Sequence, residues 1–181
     1  MEGGRNFVVV PEGLAARPRA DRLPRPSWVF ETVLERCHAL AGAHDEVYLA
    51  PANTFGQAET EQAVAHRFLE ALGPAYGITS FATATARYVD TRGNATLLRD
   101  WLTAHARWPL PRCTLVANEC HLARARLVFE QEGFRFEHCE GVPRGARRPE
   151  PVVPRLWYYN HLLTHRAYER ATLWASRLRW I

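Results

Sequence analysis

The stretch Cys113-Thr114-Leu115-Val116-Ala117-Asn118-Glu119-Cys120-His121-Leu122-Ala123-Arg124 decides the fold. Its first five residues form a short apolar run rich in β-branched side chains, of the kind buried on both faces of a parallel sheet. Asn118 closes the run. From His121 to Glu132 the apolar residues Ala125, Val128 and Phe129 then recur at helical spacing, with Gly133 as the C-terminal stop. A strand that passes directly into a helix is half of a βαβ unit, which predicts the same alternation on either side.

The alternation is there. Phe7-Val8-Val9-Val10, Val47-Tyr48-Leu49-Ala50, residues 78–82 running into 83–85, and residues 134–138 read as four further strands. Between them, Val64, Phe68 and Leu72 mark one amphipathic helix and Leu97, Leu98, Trp101 and Leu102 another. A first helix is expected over 28–41, with Ser27 as its N-cap. Residues 11–27 and 142–155 are rich in proline and arginine and read as loops, because proline fixes φ and removes a donor. Residues 156–181 form a helical pattern carrying Trp157, Tyr158, Tyr159, Tyr168, Trp174 and Trp180. The expectation is a single α/β domain over 1–181, Rossmann-like, with a mostly parallel sheet of about five strands flanked by helices and a long aromatic-rich C-terminal helix. Its core would lie at about residues 5–138.

Composition narrows the chemistry. With 181 residues, 47% of them apolar and 23% charged, the chain can bury one substantial core and is not disordered. All 23 basic residues are arginine. Genomic composition bias explains the missing lysines, yet their absence removes Schiff-base chemistry, the P-loop lysine and the strand lysine of kinases. Cys37, Cys113, Cys120 and Cys139 show no CxxC spacing, so they read as reduced thiols and neither a disulfide scaffold nor a zinc site. No apolar stretch approaches the roughly 18–20 residues of a membrane helix, and the N-terminus lacks a signal peptide, so a cytoplasmic protein without membrane attachment is expected.

In an open parallel sheet, ligands bind beyond the carboxyl ends of the strands. Glu12 lies there after the first strand and Asn53 after the second, with Glu61 opening the following helix. Asp90, Thr91 and Asn94 open the next helix, and Asn118, Glu119, His121 and Arg124 follow the fourth strand. Capping accounts equally for Asp90 or Thr91, and for Asn118; the helix dipole accounts for one of Glu59 and Glu61. His121 and Arg124, three residues apart, share a helical face near a helix N-terminus. Free N–H groups, a planar guanidinium and an imidazole together make an anion site.

Thr60-Glu61, Asp90-Thr91-Arg92-Gly93-Asn94-Ala95 and the run from Leu115 to Ala125 occur in an order that resembles the YdcF/SanA/ElyC-like family over about residues 5–138. The run from Leu115 is the most specific element. The resemblance implies a Rossmann-related domain whose polar positions match Glu61, Thr91, Asn94, His121 and Arg124. Ala52-Asn53 and Pro11-Glu12-Gly13 stand where the family has glycine-rich turns, which implies a site repurposed for another substrate.

Other chemistries fit less well. His161 and His165 have the spacing of two zinc ligands, but Leu162 stands where a zincin has its glutamate. No GxGxxG or GxSxG is present. The calculated pI of about 9.1 is not joined to any nucleic-acid-binding motif, so nucleic acid is not expected as a partner. The expectation is therefore a cofactor-independent enzyme for a small substrate with a phosphate, sulfate or carboxylate group. Arg124, with Arg87 or Arg92, would hold that group, and His121, Glu12, Glu61 or Asp90 would act as general base. Transfer, hydrolysis and displacement, as in biosynthetic tailoring, all fit. The alternative is a non-catalytic ligand-binding or accessory subunit, pairing with another protein or a second copy through the aromatic C-terminal helix.

Overall fold

The central strand is buried on both sides, with Phe7 and Val9 pointing to one face of the sheet and Val8 and Val10 to the other. That period of two requires a helical layer on each face. The computed structural model describes residues 4–16, 23–82, 88–144 and 150–178, and within them the chain alternates strand and helix as expected. The elements are β1 (Asn6–Val9), α1 (Trp28–Leu40), β2 (Glu46–Leu49), α2 (Glu61–Ala71), β3 (Gly77–Thr79), α3 (Thr91–Ala104), β4 (Cys113–Asn118), α4 (Glu119–Gln131), β5 (Phe136–Val142) and α5 (Leu162–Arg177). A 3₁₀ turn, Pro154–Asn160, precedes α5.

All five strands are parallel, in the order β3-β2-β1-β4-β5. This is a Rossmann-like α/β sheet, and its order reverses between β1 and β4. The helices α3 and α4 cover one face through Leu98, Leu102, Ala125 and Phe129, all fully buried. On the other face α1 and α2 supply Phe30, Val33, Leu34, Ala65 and Leu69. Each large apolar side chain buried this way contributes about 1.5–3 kcal/mol. A third cluster, around Leu14, Trp28, Val64, Val153 and Leu156, fastens the C-terminal segment over the carboxyl ends of β1 and β2. No helix among the described residues is long and apolar enough to cross a membrane.

Three elements differ from expectation. The long C-terminal helix of 156–181 is broken: Leu156 has non-helical angles (φ −107°, ψ 23°), and α5 starts only at Leu162. Pro154 and the packing of Leu156 and Tyr159 into the third cluster hold the turn in place. β3 ends at Thr79, short of 82, as an edge strand hydrogen-bonded only to β2; residues 83–85 lie outside the described part. β5 runs to Val142, into the expected loop, while Phe134 leaves the strand for a ring contact with Phe129 at 5.1 Å. The consecutive exposed residues Glu137 and His138 interrupt this edge strand's apolar signal. Of the expected C-terminal aromatics, Tyr158 and Tyr159 are buried, Trp157 and Trp174 are exposed, and Trp180 lies outside the described residues.

Gly13 closes the turn after β1 at φ +90°, and a Cβ there would stand 2.1 Å from Leu156 Cδ1. Both the left-handed backbone and the contact need glycine. Gly13→Ala should therefore lower unfolding stability by about 2 kcal/mol or more, read from the urea midpoint; an unchanged midpoint would show that the C-terminal segment does not close on this turn.

Candidate active site

At the switch point between β1 and β4 the chain places a carboxylate, Glu12, with no exposure to solvent. Its Oε1 accepts hydrogen bonds from the Asn118 backbone N–H (2.9 Å) and from His121 Nδ1 (3.0 Å), and its Oε2 accepts from the Tyr159 hydroxyl (2.6 Å). Burial alone would raise its pKa. The attraction of His121 and these three donors outweigh burial and hold the carboxyl below the usual carboxylate range. The same charge, added to burial, raises the Tyr159 hydroxyl well above its ordinary value, so it stays a donor.

The other nitrogen of His121, Nε2, lies 3.3 Å from Thr91 Oγ1, and Arg124 Nη1 donates to the same hydroxyl oxygen. Arg124 also grips Glu169 with two parallel hydrogen bonds, Nε to Oε2 at 2.6 Å and Nη2 to Oε1 at 3.0 Å. Burial would raise Glu169, but His121, His165 and Arg124 hold it down at about 2. The polarity of this run follows from its ends. Guanidinium only donates and an ionised carboxylate only accepts. With a neutral imidazole, Arg124 therefore donates to Thr91, Thr91 donates to His121 Nε2, and His121 Nδ1–H donates to Glu12.

Thr91, His121, Arg124 and Tyr159 line a cleft of about 270 Å³ between the strand ends and the C-terminal segment, with Glu12 and Glu169 behind them. Tyr88, Tyr158 and Tyr168 form its aromatic wall, with Tyr158 and Tyr168 stacked at 4.0 Å. Arg155 lies at the cleft with its guanidinium 3.7 Å above the Tyr88 ring and has no carboxylate partner among the described residues. Arg92, also at the cleft, is bound to Glu132 (3.0 Å) and Gln131 (2.9 Å).

The structure brings Glu12, Thr91, His121 and Arg124, all at strand ends, into one hydrogen-bonded group. Other candidates hold backbone. Asp90 caps α3 by accepting from Gly93 N–H (2.8 Å). Asn53 both donates to Val89 O and accepts from Val89 N–H, each at 2.8 Å, and Asn94 donates to Pro51 O. Asn118 accepts from Cys120 N–H at 3.1 Å and donates to Val142 O at 3.1 Å. Arg87 lies outside the described residues. Arg124 differs most from expectation: its guanidinium is already matched by Glu169, whereas Arg155 lines the cleft with no carboxylate partner among the described residues. Sequence reading also missed Tyr159 and Glu169. A signal existed, because His165, Glu169, Thr172 and Ser176 recur four, three and four apart along α5, the spacing of one helix face. That face is turned inward while Leu163 and Trp174 point out.

Glu61, the first residue of α2, fastens two loops: Oε1 accepts from Gly13 N–H (2.6 Å) and Oε2 from Asn53 N–H (2.9 Å). Burial outweighs these donors, the nearby Glu12 charge adds to it, and the carboxyl is pushed up to about 7. No protein-family model matches the chain, and no curated protein or solved structure matches it either.

The sign of the pH dependence follows. Between the ordinary value of 4.5 and about 7, the folded state keeps a proton on Glu61 that the unfolded chain has lost, so stability falls as pH rises. The total is on the order of 3 kcal/mol. Glu12 and Glu169 act oppositely: they stabilise above the usual carboxylate range and lose that contribution as pH falls through their lowered values. Urea unfolding of the wild type should weaken from about pH 5 to pH 7, and Glu61→Gln should flatten that slope. Equal slopes in both proteins would contradict this assignment.

Proposed function

We propose that the protein is an enzyme that takes a small substrate with a phosphate, sulfate or carboxylate group into the cleft at the strand ends. It acts on that substrate by transfer, hydrolysis or displacement. The observation that carries this reading is the polarised run from Arg124 through Thr91 and His121 to Glu12. A carboxylate on Nδ1 fixes the imidazole tautomer and leaves Nε2 basic and facing the cleft, which is the arrangement of a general base that later returns its proton as an acid. His121 is thus the proton carrier, Glu12 and Tyr159 orient it, and Arg155 holds the anionic group by its planar fork. Arg124 keeps Thr91 in place and carries no substrate charge. The chemistry asks for no metal or redox cofactor, and kinship with the YdcF/SanA/ElyC-like family belongs to the same proposal, supported by Glu61, Thr91, Asn94, His121 and Arg124 standing together around one cleft.

With p-nitrophenyl phosphate, p-nitrophenyl sulfate and p-nitrophenyl hydrogen succinate as probes, His121→Gln should lower kcat by about 10²–10⁴-fold for whichever is turned over. Arg155→Ala should raise KM roughly tenfold or more at nearly constant kcat. Retention of full activity by His121→Gln would remove His121 from the mechanism.

One observation favours a second reading, an accessory subunit that pairs with another protein. The outward face of α5 carries Leu163, Ala167, Ala171, Trp174 and Leu178, an exposed apolar stripe opposite the helix's polar inner face. Light scattering after gel filtration separates the cases: a dimer or larger assembly that Trp174→Glu dissociates supports pairing through α5, whereas a monomer that turns over the probes alone counts against it.

A further inference from the structure

We propose that Thr91 is the nucleophile of this site, and that its substrates are carboxylic esters or thioesters whose acyl part carries a second, anionic group. The proposal rests on the reading of His121 as base and adds the attacking atom and the substrate class. Thr91 begins α3, where Asp90 already caps the helix, so its own hydroxyl is not required as a cap and is aimed across the cleft instead. Three groups surround that hydroxyl in the order a nucleophile needs. His121 Nε2, at 3.3 Å, is placed to take its proton; Glu12, 3.0 Å beyond on Nδ1, stabilises the imidazolium that results; and Arg124 Nη1 donates to Oγ1, stabilising negative charge as it develops there.

The other aliphatic hydroxyls along the cleft, and that of Tyr159, are turned to other work. Ser176 donates to Thr172 O (2.8 Å), Thr172 donates to Tyr168 O (2.9 Å), and Tyr159 donates to Glu12. The charges next to Thr91 select the electrophile. Arg124 is matched there by Glu169, and the remaining ionised carboxylate is Glu12 behind His121. A phosphoryl or sulfuryl group would bring further negative oxygens to this position, whereas a neutral acyl carbon does not. Arg155 lies at the cleft as the partner for the anionic group farther along the substrate.

The step balances. The Thr91 Oγ1 lone pair attacks the acyl carbon while its proton passes to His121 Nε2. The carbonyl π electrons move to oxygen and return, breaking the bond to the alkoxide or thiolate leaving group, which takes the proton from Nε2. A threonyl ester remains. Water then gives a proton to Nε2, attacks that ester, and releases the acid as Thr91 Oγ1 recovers the proton. The sum is ester plus water to acid plus alcohol.

The test uses p-nitrophenyl hydrogen succinate with acid quenching before the first turnover is complete, followed by mass spectrometry. One succinyl group is expected on the peptide that contains Thr91. Thr91→Ala should lose the adduct and about 10³-fold or more in kcat/KM, Thr91→Ser should keep the adduct and activity within about tenfold, and His121→Gln should slow acylation. Succinylation elsewhere, no adduct on the wild type, or turnover of phosphate or sulfate esters alone would overturn the proposal. Wild-type turnover by Thr91→Ala with loss in His121→Gln overturns the nucleophile and leaves the base standing. Full activity in both variants overturns both.

Discussion

A carboxylate fully removed from water at the reversal of strand order constrains everything around it. Glu12 sits where β1 and β4 part, and an ionised group in that position is tolerated only if each oxygen is matched by donors. Those donors come from distant parts of the chain: an amide at the end of β4, an imidazole on the first turn of α4, and a phenol on the C-terminal turn. The need to satisfy one buried charge therefore draws the fourth strand, its helix and the C-terminal segment to a common point. The cleft forms where these pieces meet.

Matching of buried charge by donors explains the rest of the interior. The Glu12 carboxylate is met by His121, Tyr159 and Asn118 and that of Glu169 by Arg124, and the two groups meet at the Thr91 hydroxyl. Such linked groups resist rearrangement, because breaking either leaves a carboxylate short of donors at low dielectric. Preorganisation of this kind gives the imidazole one tautomer and one orientation before any ligand arrives. The absence of lysine from the chain acquires a structural sense here, since the fork of Arg124 meets the two oxygens of Glu169 together and reaches Thr91 as well.

The sheet was legible in the sequence because its signals are local. β1, β2 and β4 are continuous apolar runs, and the polar residues that follow them, Glu12 and Asn118 with His121 beyond, fell at strand ends where a parallel sheet collects ligands. Local signals also left a choice open. Asp90 and Thr91 are neighbours, equally apt as caps, yet one caps the helix and the other faces the cleft, a choice made by which lies on the His121 side. What could not be read locally was Tyr159, which meets Glu12 across 147 positions of sequence. Neither propensity nor spacing encodes that contact; only the docking of the C-terminal turn creates it. Arg124 was expected to hold a ligand's charge and is instead paired with Glu169, which the same docking brings to it.

The broken C-terminal helix has a consequence for when the site comes into being. The five strands end at Val142, so the sheet's partners are all present in the chain before Tyr159 and Glu169 emerge from a ribosome. Domains acquire structure as they are synthesised, from the N-terminal end onward. A nascent chain that has closed its sheet still holds Glu12 and Arg124 without their final partners, with a long-range contact yet to be made against loop-closure entropy. The hydrogen-bonded group around Glu12 and Arg124 is thus completed only after the sheet has closed, once α5 has folded over it.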